Sequence, residues 1–159
     1  MIVGEGPVPS RVGIVCSTYN APITRPMLDA AKRTLQEAGV TEIPVFEVPG
    51  ALEAPVAALA LLEQGECEGV VVIGAVIKGE TDHYEYVCAE ASRGIGEVAL
   101  RTGRPVGNAV LTVREYEHAV ERSRPGAGNK GAEAAEAVIV VARRLAGLRM
   151  GAHGEDGLS

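Results

Sequence analysis

His83 and the residues just before it, Lys78-Gly79-Glu80-Thr81-Asp82, form the densest set of reactive groups in the chain. An imidazole titrates near neutrality, so it can both take and give a proton at working pH. Gly79-Glu80-Thr81 offers backbone N–H groups where a helical pattern begins, an arrangement that favours phosphate. Position alone leaves a second reading of His83 open, a helix-start histidine that merely satisfies a backbone group. Arg122 and Lys130 are candidate anion ligands in an acidic chain, and taken singly they read equally as surface charges. Glu53, just after Pro49-Gly50, can accept hydrogen bonds from a polyol or amine, or can cap its own helix. Tyr19 can stack on a planar ring or fill a core edge. His118 lies in a short charged stretch and reads as solvated, and His153 falls in the tail. Neither GxxxxGK[ST] nor GxGxxG occurs, and the run GAGNKG lacks P-loop spacing and follows no strand.

The elements that must carry these groups alternate. Val12–Cys16, Ile43–Val48, Val70–Ile77 and Val106–Val113 read as strands. They are continuous apolar runs, as expected when both faces of a sheet are covered. Helical spacing predicts helices over Arg25–Ala38, Leu52–Glu63, Asp82–Arg101, Arg114–Glu121 and Gly131–Leu145, with Thr24 as an N-cap and Gly39 as a C-terminal stop. Strands and helices alternating at these lengths predict one α/β domain with a four-stranded parallel sheet and helices on both faces. In such a sheet Ser17–Asn20, Pro49–Glu53, Lys78–His83 and Arg114–Glu115 all follow strands. They gather at one edge, where open α/β sheets bind ligands.

A chain of 159 residues fits one domain with an ordinary core. Aromatics are only 3% of it, with one Phe and no Trp, so the core is built from Val, Ile, Leu and Ala. The net charge of −6 argues against a nucleic-acid partner, which needs a basic patch. No apolar run approaches the ~18 residues of a membrane span, and MIVGEGPVPSR has no signal-peptide zones. Cys16, Cys67 and Cys88 fit neither a disulfide framework nor a zinc pattern, which predicts reduced thiols and a cytoplasmic location. Residues 1–10 read as a flexible arm, 11–146 as the domain and 147–159 as a disordered glycine-rich tail.

Four motifs in order then stand out: VPGALEAP at Val48–Pro55, GAVIKGETDHYEYV at Gly74–Val87, GNAVLTV at Gly107–Val113 and AVERSRPGAGNKG at Ala119–Gly131. With these the chain resembles the lumazine synthase family over roughly Arg11 to Leu145. The resemblance implies a flavodoxin-like α/β/α domain and the penultimate step of riboflavin biosynthesis. There 5-amino-6-(D-ribitylamino)uracil condenses with 3,4-dihydroxy-2-butanone 4-phosphate to 6,7-dimethyl-8-ribityllumazine, with no metal or organic cofactor. It places Tyr19 against the pyrimidine ring, and Ala51, Leu52 and Glu53 along the ribityl chain and uracil. Ala75, Val76 and Ile77 fall beside the ring, Glu80 and Thr81 in the phosphate turn, and His83 at the proton-transfer position. Asn108 matches a pyrimidine-pocket position supplied by the neighbouring subunit, Arg122 the phosphate-binding arginine, and Lys130 the lysine of the NKG motif.

Two positions depart from the family pattern: Arg114 stands where an acidic residue is usual, and His118 where a glutamine is common. The resemblance also implies a homo-oligomer, a pentamer with sites between adjacent subunits. The short loop Arg124–Asn129 points to the sixty-subunit capsid rather than to the pentamer alone. The alternatives are a non-catalytic shell-forming homologue and a flavin binder on the same fold, since fold by itself does not fix function.

Overall fold

The computed structural model describes residues 1–156, with side chains described through residue 151. Four parallel strands, β1 (Val12–Ser17), β2 (Val45–Val48), β3 (Gly69–Ile77) and β4 (Val106–Val113), form one sheet in the order β2-β1-β3-β4. Five helices cover it: α1 (Ala21–Ala38), α2 (Ala54–Glu63), α3 (His83–Thr102), α4 (Tyr116–Ser123) and α5 (Lys130–Asp156). A 3-10 turn, Ala51–Glu53, leads into α2. The result is the three-layer α/β/α domain expected from the alternation.

The layers follow from side-chain alternation along the strands. Val12, Ile14 and Cys16 of β1, with Val71 and Ile73 of β3, pack under α1 and α5 beside Met27, Leu35 and Val138. Val15, Val70 and Val72 face the opposite way, onto Ala57, Leu62 and Ile95 of α2 and α3. Small residues let the layers close without aromatics. A Cβ on Gly107 would lie 2.7 Å from the carbonyl oxygen of Ala134 in α5, and one on Gly94 would lie 2.7 Å from the Pro55 ring in α2.

The structure differs from the sequence reading at several places. Helix α1 begins at Ala21, so Thr24 is not its cap but lies buried inside it, with Oγ1 donating to the Ser17 carbonyl at 2.8 Å. Asn20 is the N-cap. Strand β2 starts at Val45 rather than Ile43, because Pro44 has no N–H for the ladder. Strand β4 is not covered on both faces: Gly107, Ala109, Leu111 and Val113 are buried, whereas Asn108 and Thr112 are exposed.

Helix α5, predicted to end at Leu145, runs on to Asp156 through the glycines read as a tail. Gly147 lets the arm cross the helix at close range, since a Cβ there would collide with the Gly4 carbonyl. The arm read as loose is laid along α5. Gly6 N–H donates to the Arg143 carbonyl at 2.8 Å, and Glu5 pairs with Arg143 at 3.3 Å and with Arg144 at 3.4 Å. Residues 157–159, and the side chain of His153, lie outside the described residues.

Because a backbone carbonyl closes the space above Gly107, the site cannot relax by a rotamer change. Gly107→Ala is expected to destabilise the fold by about 1–3 kcal/mol. The check is the urea midpoint at fixed protein concentration, and an unchanged midpoint would refute the close contact.

Candidate active site

The sheet changes direction between β1 and β3: the chain moves outward from β1 to β2, then crosses back to β3 and on to β4. At that switch point the carboxyl ends of β1 and β3 diverge and a cleft opens, as the topology requires. The cleft has a volume of about 490 Å³. Its floor is the end of β3, Ala75–Ile77; one wall is Pro49–Glu53, the other the start of α3 with His83, Tyr84 and Val87. Ser17, Tyr19 and Asn20 close it from the end of β1.

Nine of the thirteen sequence-derived site residues thus meet in one place: Tyr19, Ala51, Leu52, Glu53, Ala75, Val76, Ile77, Thr81 and His83. Tyr19 is 73% exposed, so its ring stands at the rim, free to lie over something flat, and does not fill a core edge. Ala51 and Ala75 are buried. His83 is exposed at the first residue of α3, following the N-cap Asp82. The Glu53 carboxylate accepts from the Gly50 N–H at 2.9 Å, so it caps the turn that leads into α2. That cap and a role toward a ligand are compatible, because a carboxylate has a second oxygen.

Glu80, Asn108, Arg122 and Lys130 do not line the cleft of this protomer. Glu80 is exposed in the turn after β3. Asn108 Oδ1 accepts from the Val110 N–H at 2.9 Å on the open face of β4. The Arg122 guanidinium donates to the His118 carbonyl of its own helix at 3.0 Å. Lys130 pairs with Glu133 at 2.8 Å. Among the residues that line the cleft there is no Lys or Arg, and Glu53 is the one permanent charge.

Residues 9–146 match the 6,7-dimethyl-8-ribityllumazine synthase family, most of the 159-residue chain. The chain belongs to that family. Membership of the lumazine synthase family ties it to riboflavin biosynthesis, to transferase-type chemistry and to a family of homo-oligomers. Among the described residues no helix is long and apolar enough to cross a membrane.

Sequence reasoning placed Ser17–Asn20 at the edge as a segment but gave neither Ser17 nor Asn20 a part. Asn20 takes the left-handed conformation, φ 60°, one of two non-glycine residues with positive φ among those described. Its signal was readable: Asn tolerates that conformation, and Pro22 two residues on marks a helix start earlier than Thr24 does. Ser17 Oγ is buried without a hydrogen-bond partner among the described residues, and a Cβ on Gly74 would lie 3.1 Å from it. Tyr84, in the first turn of α3, lines the cleft. Its phenol is pushed up by burial first and by the neighbouring Cys88 next, while Arg114 and Thr112 pull it down. Burial likewise pushes up the thiols of Cys16, Cys67 and Cys88. All three cysteines are free, as expected of reduced thiols, and raised thiols are poor nucleophiles.

The Glu53 cap yields a check that is independent of turnover. Glu53→Ala removes a charge-assisted bond to the Gly50 N–H. It is expected to lower Tm by about 2–4 °C, whereas Glu53→Gln keeps an acceptor and lowers it less. Equal melting of both variants and the parent would show that the contact contributes nothing.

Proposed function

We propose that the protein condenses 5-amino-6-(D-ribitylamino)uracil with 3,4-dihydroxy-2-butanone 4-phosphate to 6,7-dimethyl-8-ribityllumazine, releasing phosphate and water. The observation that carries this reading is the gathering of Tyr19, Ala51–Glu53, Ala75–Ile77, Thr81 and His83 around one cleft in a chain of this family. The reaction needs two reactants held in register more than it needs a strong nucleophile. Orientation alone supplies up to roughly 7–11 kcal/mol in well-ordered cases. A flat uracil suits the backbone edge of β3 below and the Tyr19 ring above. The ribityl hydroxyls suit Ala51, Leu52 and Glu53. His83 relays protons while the amine adds to the ketone and water leaves. A carbon-bound proton is removed as phosphate departs, and the ribitylamino nitrogen then closes the ring on the second carbonyl with loss of a second water.

The phosphate needs a cation, and the cleft of one protomer supplies none. Gly79–Thr81 offers backbone donors, with Thr81 and Gly79 on the cleft wall and Glu80 between them. In this reading Arg122, Lys130 and Asn108 come from the adjoining subunit of a pentamer, which completes each site. Exposed apolar side chains such as Val56 and Leu100 suit such contacts. The short Arg124–Asn129 loop extends the proposal to a sixty-subunit capsid, and the cytoplasm is the proposed location. Arg114 and His118, the two departures from the family pattern, line no part of the cleft.

A fluorescence assay for lumazine formation from the two substrates tests the reading, and absence of product with assembled protein would overturn it. His83→Ala is expected to fold and assemble but to lose turnover by roughly 10²–10⁴-fold. Arg122→Ala is expected to raise KM for the phosphorylated ketone. A rise confined to the uracil KM would contradict its assignment. Mixing unfolded His83→Ala and Arg122→Ala chains and refolding them together should regenerate about one intact site in four, since each site draws the two groups from different copies. No recovery would mean that both come from one chain.

A further inference from the structure

Asn is favoured at a helix N-cap because its side chain can accept the N–H of the second or third helical residue. Asn20 does not do this. The second helical residue of α1 is Pro22, which has no N–H, and the N–H of Ile23 is already taken by the Asn20 carbonyl at 2.9 Å. The side chain is therefore free, and it reaches 55 residues along the chain: Nδ2 donates to the Ala75 carbonyl at 2.8 Å.

Strand lengths give that bond its meaning. β3 pairs with β4 as far as Ile77↔Val113, but with β1 only as far as Cys16↔Ile73. Val70 N–H donates to the Pro105 carbonyl and Lys78 N–H to the Val113 carbonyl, so the even residues of β3 turn toward β4. Alternation turns Ala75 and Ile77 the other way, into the space that β1 has left. Ala75 is buried, and a buried carbonyl without a partner is costly.

We propose that Asn20 is a positioning residue whose amide stands in for the missing strand at Ala75 and so fixes the backbone edge 75–77 on which the planar substrate lies. Asn suits both demands at once. It accepts the left-handed backbone, as Gly and Asp also do, and it alone of the three carries a donor. An Asp there would aim an anion at a carbonyl oxygen. With the Ala75 carbonyl satisfied by Asn20, the main-chain groups of Ile77 are left to the ligand. The inference rests on the proposed function for the identity of that ligand, though not for the bond itself.

Two variants separate backbone from side chain. Asn20→Gly keeps the left-handed turn and deletes the amide; Asn20→Asp keeps the shape and removes the donor. Both are expected to fold and assemble with the parent's circular dichroism. Their KM for the ribitylaminouracil should rise about tenfold, the cost of one good hydrogen bond, while KM for the phosphorylated ketone holds. Binding of 6,7-dimethyl-8-ribityllumazine, read by its own fluorescence, should weaken to match. Amide hydrogen exchange in a peptide spanning residues 74–78 should quicken in the assembled protein. If Asn20→Gly exchanges there at the parent rate, or if both variants keep the parent uracil KM, the assignment is wrong. Should Asn20→Asp fail to fold, Asn20→Gly decides alone. If the parent makes no lumazine, the proposed function falls, while faster exchange at 74–78 would still establish the latch.

Discussion

The site depends on a mismatch of strand lengths. β1 stops pairing with β3 at Cys16↔Ile73, while β3 keeps β4 as a partner for four more residues. Had β1 continued, Ala75 and Ile77 would be buried in an unbroken ladder and the switch point would hold no space. Because it stops, a short run of β3 is paired on one side only. The chain leaving β1 must turn at once into α1 to clear that run. The left-handed Asn20 makes this turn, and its side chain repairs one of the groups the departure exposes. An open edge of backbone is a generic binder of flat, polar rings. What gives it direction here is that Pro49–Glu53 and the start of α3 rise on either side of it.

Those walls are held by close packing rather than by large side chains. Gly94 lets α3 meet Pro55 at the head of α2, so the two helices that frame the cleft are fixed to each other as well as to the sheet. On the other face Gly107 lets α5 sit directly over β4. A core of Val, Ile, Leu and Ala at such short range has few alternative rotamer arrangements. A rigid platform of this kind suits a reaction that relies on holding two molecules in register.

Much of this was legible in the sequence because the strong signals are local. β3 announced itself by a run of β-branched residues, and the turn at His83 by the change from strand to helical spacing. The errors have physical causes too. Thr24 looked like a cap because capping residues are recognised by type; what decides the helix start is the left-handed turn four residues earlier. β4 looked covered on both faces because it is apolar overall, yet Asn108 and Thr112 on that edge strand are exposed. Gly147 read as a tail signal, while its service is to let the arm cross α5. Nothing local in the sequence could have shown that Asn20 answers Ala75, since that bond exists only once the sheet is built.

The cations pose the remaining question of design. Lys130 is engaged with Glu133 and Arg122 with a carbonyl of its own helix, each one turn away. Exposed pairs of this kind contribute about 0–1 kcal/mol, so they restrain a side chain without committing it. In an acidic chain that restraint is useful. A guanidinium parked on a weak local partner can be drawn away by a phosphate that offers it a stronger, bidentate contact. Under the proposed assembly, keeping Arg122 and Lys130 off the cleft of one protomer and joining them to it only across a contact with the next would make the complete site a property of the assembly. A lone protomer would then hold the ring-binding half with only the backbone donors of Gly79–Thr81 to meet the phosphate of its second substrate.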